Sequence, residues 1–151
     1  MSPHPFRAAV ESGELAGIGA VFAEDAVLNS PVAHRPYHGR GAIAAIIAAV
    51  GEVLEGFRFE KELPAGRDHA LVFGATVDGL RIQGCDFVHT RGDGLIDEIT
   101  VMVRPLKAAT VFAEKMRAAL GGQTSAAGGP AGKPPAPQRL PKPPRSASDG
   151  C

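Results

Sequence analysis

Residues 69–90, HALVFGATVDGLRIQGCDFVHT, decide the fold of this chain. Side chains on both sides of the Asp78-Gly79 pair follow a two-residue period, which is the period of β-strands. An Asp-Gly pair between two such runs favours a tight antiparallel hairpin, because both residues tolerate a positive φ angle. The sequence therefore predicts two long strands joined at Asp78-Gly79.

Two further runs flank this hairpin with the same period. They are FRFEKEL, residues 57–63, and LIDEITVMVR, residues 95–104. The turn-forming segments PAGR and RGDG separate them from the hairpin. Together the four runs predict a meander of four antiparallel strands.

Outside the meander, apolar residues recur mostly at helical spacing. The sequence predicts, in order, a helix between Pro3 and Gly13, a helix over 15–22, a short strand over 26–31, a loop over 32–39, a helix from Ile43 that Gly56 ends, and a final helix over 106–120 after Pro105. Helices followed by a strand meander and a closing helix predict an α+β fold, with helices on one face of a curved antiparallel sheet.

Composition divides the 151 residues into one domain, residues 1–120, and a tail, residues 121–151. The tail holds seven Pro and six Gly, and Leu140 is its only large aliphatic residue. It cannot bury enough apolar area to offset the entropy cost of ordering it, so we expect a solvated, disordered tail. Its PPAP and PQRLP stretches leave open a second interpretation, a polyproline ligand for a partner.

Charge and motifs exclude several classes of protein. The chain has 16 basic and 16 acidic residues, so neither a nucleic-acid partner nor a membrane surface is expected. The first residues lack the charged and apolar regions of a signal peptide, which predicts a cytoplasmic protein. Cys85 and Cys151 make no disulfide framework, and no phosphate-binding loop indicates a nucleotide, so no cofactor is expected.

A specific resemblance is carried by FAEDAVLNSPVAHRPYHGRGAI, residues 22–43, and CDFVHTRGDGLIDEITV, residues 85–101. Both segments resemble the nuclear transport factor 2-like (SnoaL-like) superfamily, and the resemblance covers about residues 3–105. It implies a cone-shaped α+β barrel around an apolar pocket, usually in a homodimer. The superfamily hosts isomerases, cyclases, epoxide hydrolases, dehydratases and non-catalytic binders, so the fold alone does not name an activity.

Within the superfamily, the spacing is most similar to that of bacterial ketosteroid isomerases. The resemblance implies that Asp86 corresponds to the protonated Asp of the oxyanion hole. Phe6 stands at the position of the oxyanion-hole Tyr, and Ser30 stands at that of the general-base Asp. A serine hydroxyl does not remove a carbon-bound proton at neutral pH without a base of its own. The limonene epoxide hydrolase pattern is also incomplete, because residues 71–77 carry no charge and Val101 stands near the expected second acid.

Strand alternation places Asp86 on one face with Ile82 and Val88, and we expect this face to line the pocket. Val101 and Val103 of the last strand are expected to contact the ligand as well, and so is Phe6. A carboxyl in an apolar pocket either stays protonated or finds a partner, so the pKa of Asp86 should be raised. A bulged or shifted strand would instead leave Asp86 solvated or paired.

Polar residues near the end of the first strand are candidates for the pocket mouth. Asn29 and Ser30 could hydrogen-bond a ligand oxygen or orient a water, or could form an ordinary turn before Pro31. His34, in the following loop, is the candidate base at the rim. Tyr37 could supply the hydroxyl that Phe6 lacks, or simply pack.

No metal site is expected. His34 and His38 are four residues apart, which suits a metal only on a helix, and Pro36 between them predicts a loop.

Two functions remain open from the sequence. The first is an acid–base enzyme for isomerisation, cyclisation or hydration of a small, mostly apolar, oxygen-bearing molecule, with Asp86 as the acid and His34 or a water held by Ser30 as the base. The second is a non-catalytic ligand-binding or dimeric accessory module. A second titratable group near Asp86 would favour the enzyme, and a single carboxyl would favour binding.

Overall fold

The computed structural model describes residues 2–124, which form three α-helices, one 3-10 helix and six β-strands. In chain order these are α1 (Pro5–Glu11), the 3-10 helix (Leu15–Val21), β1 (Phe22–Asn29), β2 (Tyr37–His38), α2 (Arg40–Val53), β3 (Glu55–Ala65), β4 (Asp68–Val77), β5 (Leu80–Thr90), β6 (Ile96–Arg104) and α3 (Leu106–Thr124). The order confirms the predicted α+β class. The tail predicted over residues 121–151 lies outside the described residues except for 121–124, which continue α3.

The meander forms as the period-two pattern predicts. Strands β3, β4, β5 and β6 pair antiparallel in sequence order. At the central hairpin Asp78 and Gly79 have φ angles of 52° and 77°, and Val77 pairs with Leu80 across the turn. Both positive angles are those of the tight turn that an Asp-Gly pair favours.

The sheet is larger than the sequence indicates, and one of its pairs is parallel. Its order is β2-β1-β6-β5-β4-β3, so β1 and β2 extend the meander to six strands. β1 pairs parallel with β6, which corrects the expectation of a wholly antiparallel sheet. Local patterns could not show this, because the helices and the meander separate the two strands in sequence. Interruptions of the register in β1 and β3 accompany the curvature of the sheet.

Several element boundaries also differ from the prediction. Strand β1 spans Phe22–Asn29 rather than 26–31, and the predicted loop over 32–39 contains the short strand β2. The second helix is a short 3-10 helix that ends at Val21, and Phe22 already begins β1. Helix α2 ends at Val53 rather than at Gly56, and Leu54 follows it in an extended conformation. Leu54 lies between α2 and β3 and is nevertheless buried in the core.

The core lies between one face of the sheet and the helices. Along β5, Ile82, Gly84, Asp86 and Val88 are buried, whereas Phe87 is exposed. This alternation confirms the face assigned to Asp86. The apolar faces of α2 and α3 cover the same side, and their buried residues include Ile43, Ile46, Phe112 and Met116.

Candidate functional site

A cavity of about 240 Å³ lies between the buried face of the sheet and the helices, and is called the inner cavity below. Aliphatic and aromatic side chains form most of its wall. They include Phe6 of α1, Ile46 and Ile47 of α2, Phe57 of β3, and Val101 and Val103 of β6. The inner cavity therefore suits a ligand that is mostly apolar.

Asp86 is the ionisable side chain in this wall. No other Asp, Glu, Lys, Arg or His among residues 2–124 lines the inner cavity. It lies at the middle of β5, opposite Leu71 of β4 and Val101 of β6, and only 6% of it is exposed. No group in the described part of the chain donates a hydrogen bond to its carboxyl. Burial alone raises the pKa of Asp86 to about 7. Near neutral pH a large share of the molecules therefore carries a neutral carboxyl that can donate a hydrogen bond.

Aromatic rings and a glycine shape the wall beside Asp86. Phe57 and Phe73 stack with ring centroids 4.9 Å apart. Gly84 lies opposite Phe73 in the neighbouring strand, and a Cβ atom there would collide with the Phe73 ring and lie 2.7 Å from the Met102 carbonyl oxygen. The absence of a side chain at Gly84 therefore lets the Phe73 ring approach β5 closely, two residues along the strand from Asp86.

Phe6 enters the wall because His4 caps α1. The Phe6 backbone N–H donates to Nδ1 of His4 at 3.1 Å, so His4 carries its proton on Nε2 and donates it to Oγ1 of Thr90 at 2.9 Å. Burial, with a contribution from nearby His69, lowers the pKa of His4, in keeping with this neutral form. Phe6 is buried with its ring edge-on to Phe22. At this position the ring fills space and donates no hydrogen bond.

Asn29 and Ser30, at the end of β1, have different surroundings. Ser30 lines the inner cavity, and its Oγ accepts a hydrogen bond from the Val32 N–H at 3.2 Å. Asn29 does not line it, and its Nδ2 donates to Oγ1 of Thr100 on β6 at 3.0 Å. The structure thus places Ser30 at the cavity within a local turn, and gives Asn29 a cross-strand partner.

The loop residues predicted at the rim lie outside the inner cavity. His34 is exposed and absent from its wall, because the loop over 30–36 carries the imidazole outward. Tyr37 is half-buried and lines an adjoining space of about 270 Å³, called the outer cavity below. The two cavities share four lining residues, Ser30, Val32, Ile46 and Met116.

A further polar pair joins the ends of β5 and β6. Oδ1 of Asp97 lies 2.6 Å from Nδ1 of His89, across the turn between the two strands. This hydrogen bond raises the pKa of His89. Both side chains are partly exposed and neither lines the inner cavity.

Among residues 2–124, no group of three or more His, Cys, Asp and Glu side chains is placed to hold a metal ion. Within the same range, no helix has the length and hydropathy needed to cross a bilayer.

The sequence of the chain matches the model of the SnoaL-like domain over residues 5–99. The chain belongs to the SnoaL-like family. A structure described as a steroid delta-isomerase from Pseudomonas aeruginosa is 31% identical, with a TM-score of 0.74, over 78% of this chain and 88% of that chain. The SnoaL-like domain is thus similar to an isomerase over most of both chains.

Two further structures resemble the SnoaL-like domain. An uncharacterised protein with a cystatin-like fold from Silicibacter pomeroyi is 29% identical, with a TM-score of 0.75, over 81% of this chain and 89% of that chain. A hypothetical protein with a ketosteroid isomerase-like fold from Catenulispora acidiphila, in complex with trimethylamine, is 19% identical, with a TM-score of 0.55, over 72% of this chain and 88% of that one. At 19% identity, the similarity to the Catenulispora acidiphila protein shows a shared fold alone. The comparison with curated proteins finds no match.

Proposed function

We propose that this SnoaL-like domain binds a small, mostly apolar molecule that carries an oxygen acceptor, and that protonated Asp86 donates a hydrogen bond to that oxygen. The observation that carries the proposal is a buried carboxyl without a hydrogen-bond partner among the described residues, in an otherwise apolar cavity. A buried polar group without a partner costs free energy. A ligand carbonyl or ether oxygen would supply the missing partner.

The inner cavity supports an apolar body for the ligand. Phe57, Val101 and Val103 lose contact with water when such a body enters, and each Å² of apolar area removed from water contributes about 25 cal/mol. The single hydrogen bond to Asp86 then orients the ligand. Affinity comes chiefly from apolar contact, and selectivity comes from the oxygen.

Binding without catalysis is favoured by the absence of a second titratable group in the described wall of the inner cavity. General acid–base chemistry needs both a donor and an acceptor of protons at the reacting atoms. The hydroxyl of Ser30 is held in a turn, and His34 would reach the cavity only after the loop over 30–36 had rearranged. Asp86 alone can hold or polarise a carbonyl.

An isomerase-type enzyme is the second candidate function. It is favoured by the 31% identity with the Pseudomonas aeruginosa protein described as a steroid delta-isomerase. In that case Asp86 would stabilise the developing enolate oxygen, and a base would have to come from the loop.

The proposed function is tested with a matched pair of probes. 2-Acetylnaphthalene has an apolar body and one carbonyl, and 2-ethylnaphthalene has a similar shape without the oxygen. We expect the ketone to bind more tightly, as followed by naphthalene fluorescence or titration calorimetry. Asp86→Asn keeps a donor of similar shape and should largely preserve this preference. Asp86→Leu should weaken ketone binding by roughly 1–3 kcal/mol and leave binding of the hydrocarbon intact.

Equal affinity for the two probes in the unmodified protein would contradict the proposed role of Asp86. The proposal would also fail if neither probe bound, while circular dichroism showed a folded protein.

We propose further that the protein is a homodimer, formed through the outer face of the sheet. Large apolar side chains are exposed there, including Phe87 at 44% and Met102 at 57%. Val72 and Cys85 line a shallow depression of about 300 Å³ beside Met102. A sheet with apolar residues on both faces needs its second face covered, and a second copy would cover it.

A further inference from the structure

The outer cavity adjoins the inner one and opens between the loop after β1 and the second half of α3. Ser30, Val32, Ile46 and Met116 belong to the walls of both. These four side chains therefore lie between two adjacent cavities, and a ligand that bridged the cavities would pass along them. The two cavities together are called the elongated site below.

The outer cavity has the opposite electrostatic character to the inner one. Among the described residues that line it, Arg117 is the only charged one. Arg117 is exposed, and no described group forms an ion pair or a hydrogen bond with its guanidinium. Lys115, on another side of α3, lies 3.5 Å from Asp78 and is not part of this wall. Within the described part of the chain, the positive charge of Arg117 thus has no partner at the place where the elongated site meets solvent.

Tyr37 adds a second donor to the outer cavity. Its ring is half-buried in the wall, and none of the described residues hydrogen-bonds with its hydroxyl. A guanidinium donates two parallel hydrogen bonds to a carboxylate, and a phenol can donate one more. The outer cavity therefore has the donor set that recognises an anion.

We propose that the outer cavity binds an anionic group of the ligand, and that the ligand is an amphipathic keto acid or a related molecule with an apolar body between a carbonyl and a carboxylate. This inference rests on the proposed function of the inner cavity. The carbonyl end lies at Asp86 and the carboxylate end at Arg117.

The charges also fix the direction in which such a ligand enters. A carboxylate in the inner cavity would lose its hydration among Phe57, Val101 and Ile47, and would approach the carboxyl of Asp86. In the outer cavity it remains partly hydrated and meets a positive charge. The reversed orientation would place the carboxylate beside Asp86 and leave Arg117 without an anionic partner, so it is disfavoured.

The experiment compares 6-acetyl-2-naphthoate with uncharged 2-acetylnaphthalene in the full chain. Arg117→Ala should weaken binding of the naphthoate roughly two- to fivefold, the range expected of a solvent-accessible charge pair, and leave the uncharged ketone unaffected. Arg117→Lys keeps the charge and should recover part of the loss. Lys107→Ala removes one exposed positive charge from the same helix outside both cavities, and should change neither affinity.

Added salt should reduce the ratio of naphthoate affinity to ketone affinity in the unmodified protein, because it screens the exposed pair of Arg117 and the carboxylate. It should not change this ratio in Arg117→Ala. An unchanged ratio of the two affinities in Arg117→Ala would overturn the inference while the proposed function stands. Failure of both ligands to bind the unmodified protein would overturn the proposed function, and the inference with it.

Discussion

Replacement of Asp86 by Asn should change how the stability of this protein depends on pH. In the folded protein burial raises the pKa of Asp86 to about 7, against an ordinary value of 3.8. Between these two values the folded state binds more protons than the unfolded state. The free energy of unfolding therefore falls as the pH rises from 3.8 to 7, and the contribution is level above 7. With 1.36 kcal/mol for each pKa unit, the full change is about 4 kcal/mol.

Asn resembles the protonated carboxyl in shape and carries no titrating proton. The two proteins should therefore have similar stability near pH 4, and Asp86→Asn should be the more stable by about 4 kcal/mol at pH 8. Urea unfolding at intervals between these pH values measures the difference. Subtraction removes the contributions of other groups, such as His4, whose pKa burial lowers. A difference that stays constant from pH 4 to pH 8 would refute the reasoning, because Asp86 would then have an ordinary pKa in the folded protein.

Three further predictions follow from the wall of the inner cavity and the outer face of the sheet. Gly84→Ala should lower the free energy of unfolding by about 1–3 kcal/mol, because the added Cβ meets the Phe73 ring and the Met102 carbonyl; unchanged urea unfolding would contradict this. Sedimentation at micromolar concentration should show a dimer that Met102→Glu converts into a folded monomer, and a monomeric unmodified protein would contradict the proposed interface. The protein should not isomerise a β,γ-unsaturated ketosteroid at a useful rate, because Ser30 is not a base and Phe6 donates no hydrogen bond, whereas turnover detected by ultraviolet absorbance and abolished by Asp86→Asn would support the isomerase alternative.

The sequence predicts the meander well because neighbouring strands are joined by short turns with a distinct chemistry. The Asp78-Gly79 turn sets the register of β4 against β5, and the two-residue period then fixes which side chains face the core. The pairing of β1 with β6 is different in kind. It joins residues more than 70 positions apart in sequence, such as Val27 and Glu98, and depends on how the intervening helix and strands fold back to bring β6 beside β1.

The same distinction applies to the candidate site. The inward position of Asp86 follows from alternation within one strand, and the structure agrees with it. The position of His34 depends on the course of the loop over 30–36, which has no period to indicate a face. The role of Arg117 has no signal in the sequence, because an exposed arginine on an amphipathic helix is ordinary until the structure places it with Tyr37 in the wall of one cavity.

Titration of the Asp86 carboxyl carbon by NMR, in the free protein and with saturating 2-acetylnaphthalene, tests the central claim most directly. We predict a pKa near 7 in the free protein, and a higher pKa in the complex because the ketone binds the protonated form. A pKa near 3.8 in the free protein, or no change on binding, would show that Asp86 does not serve as the hydrogen-bond donor of this cavity.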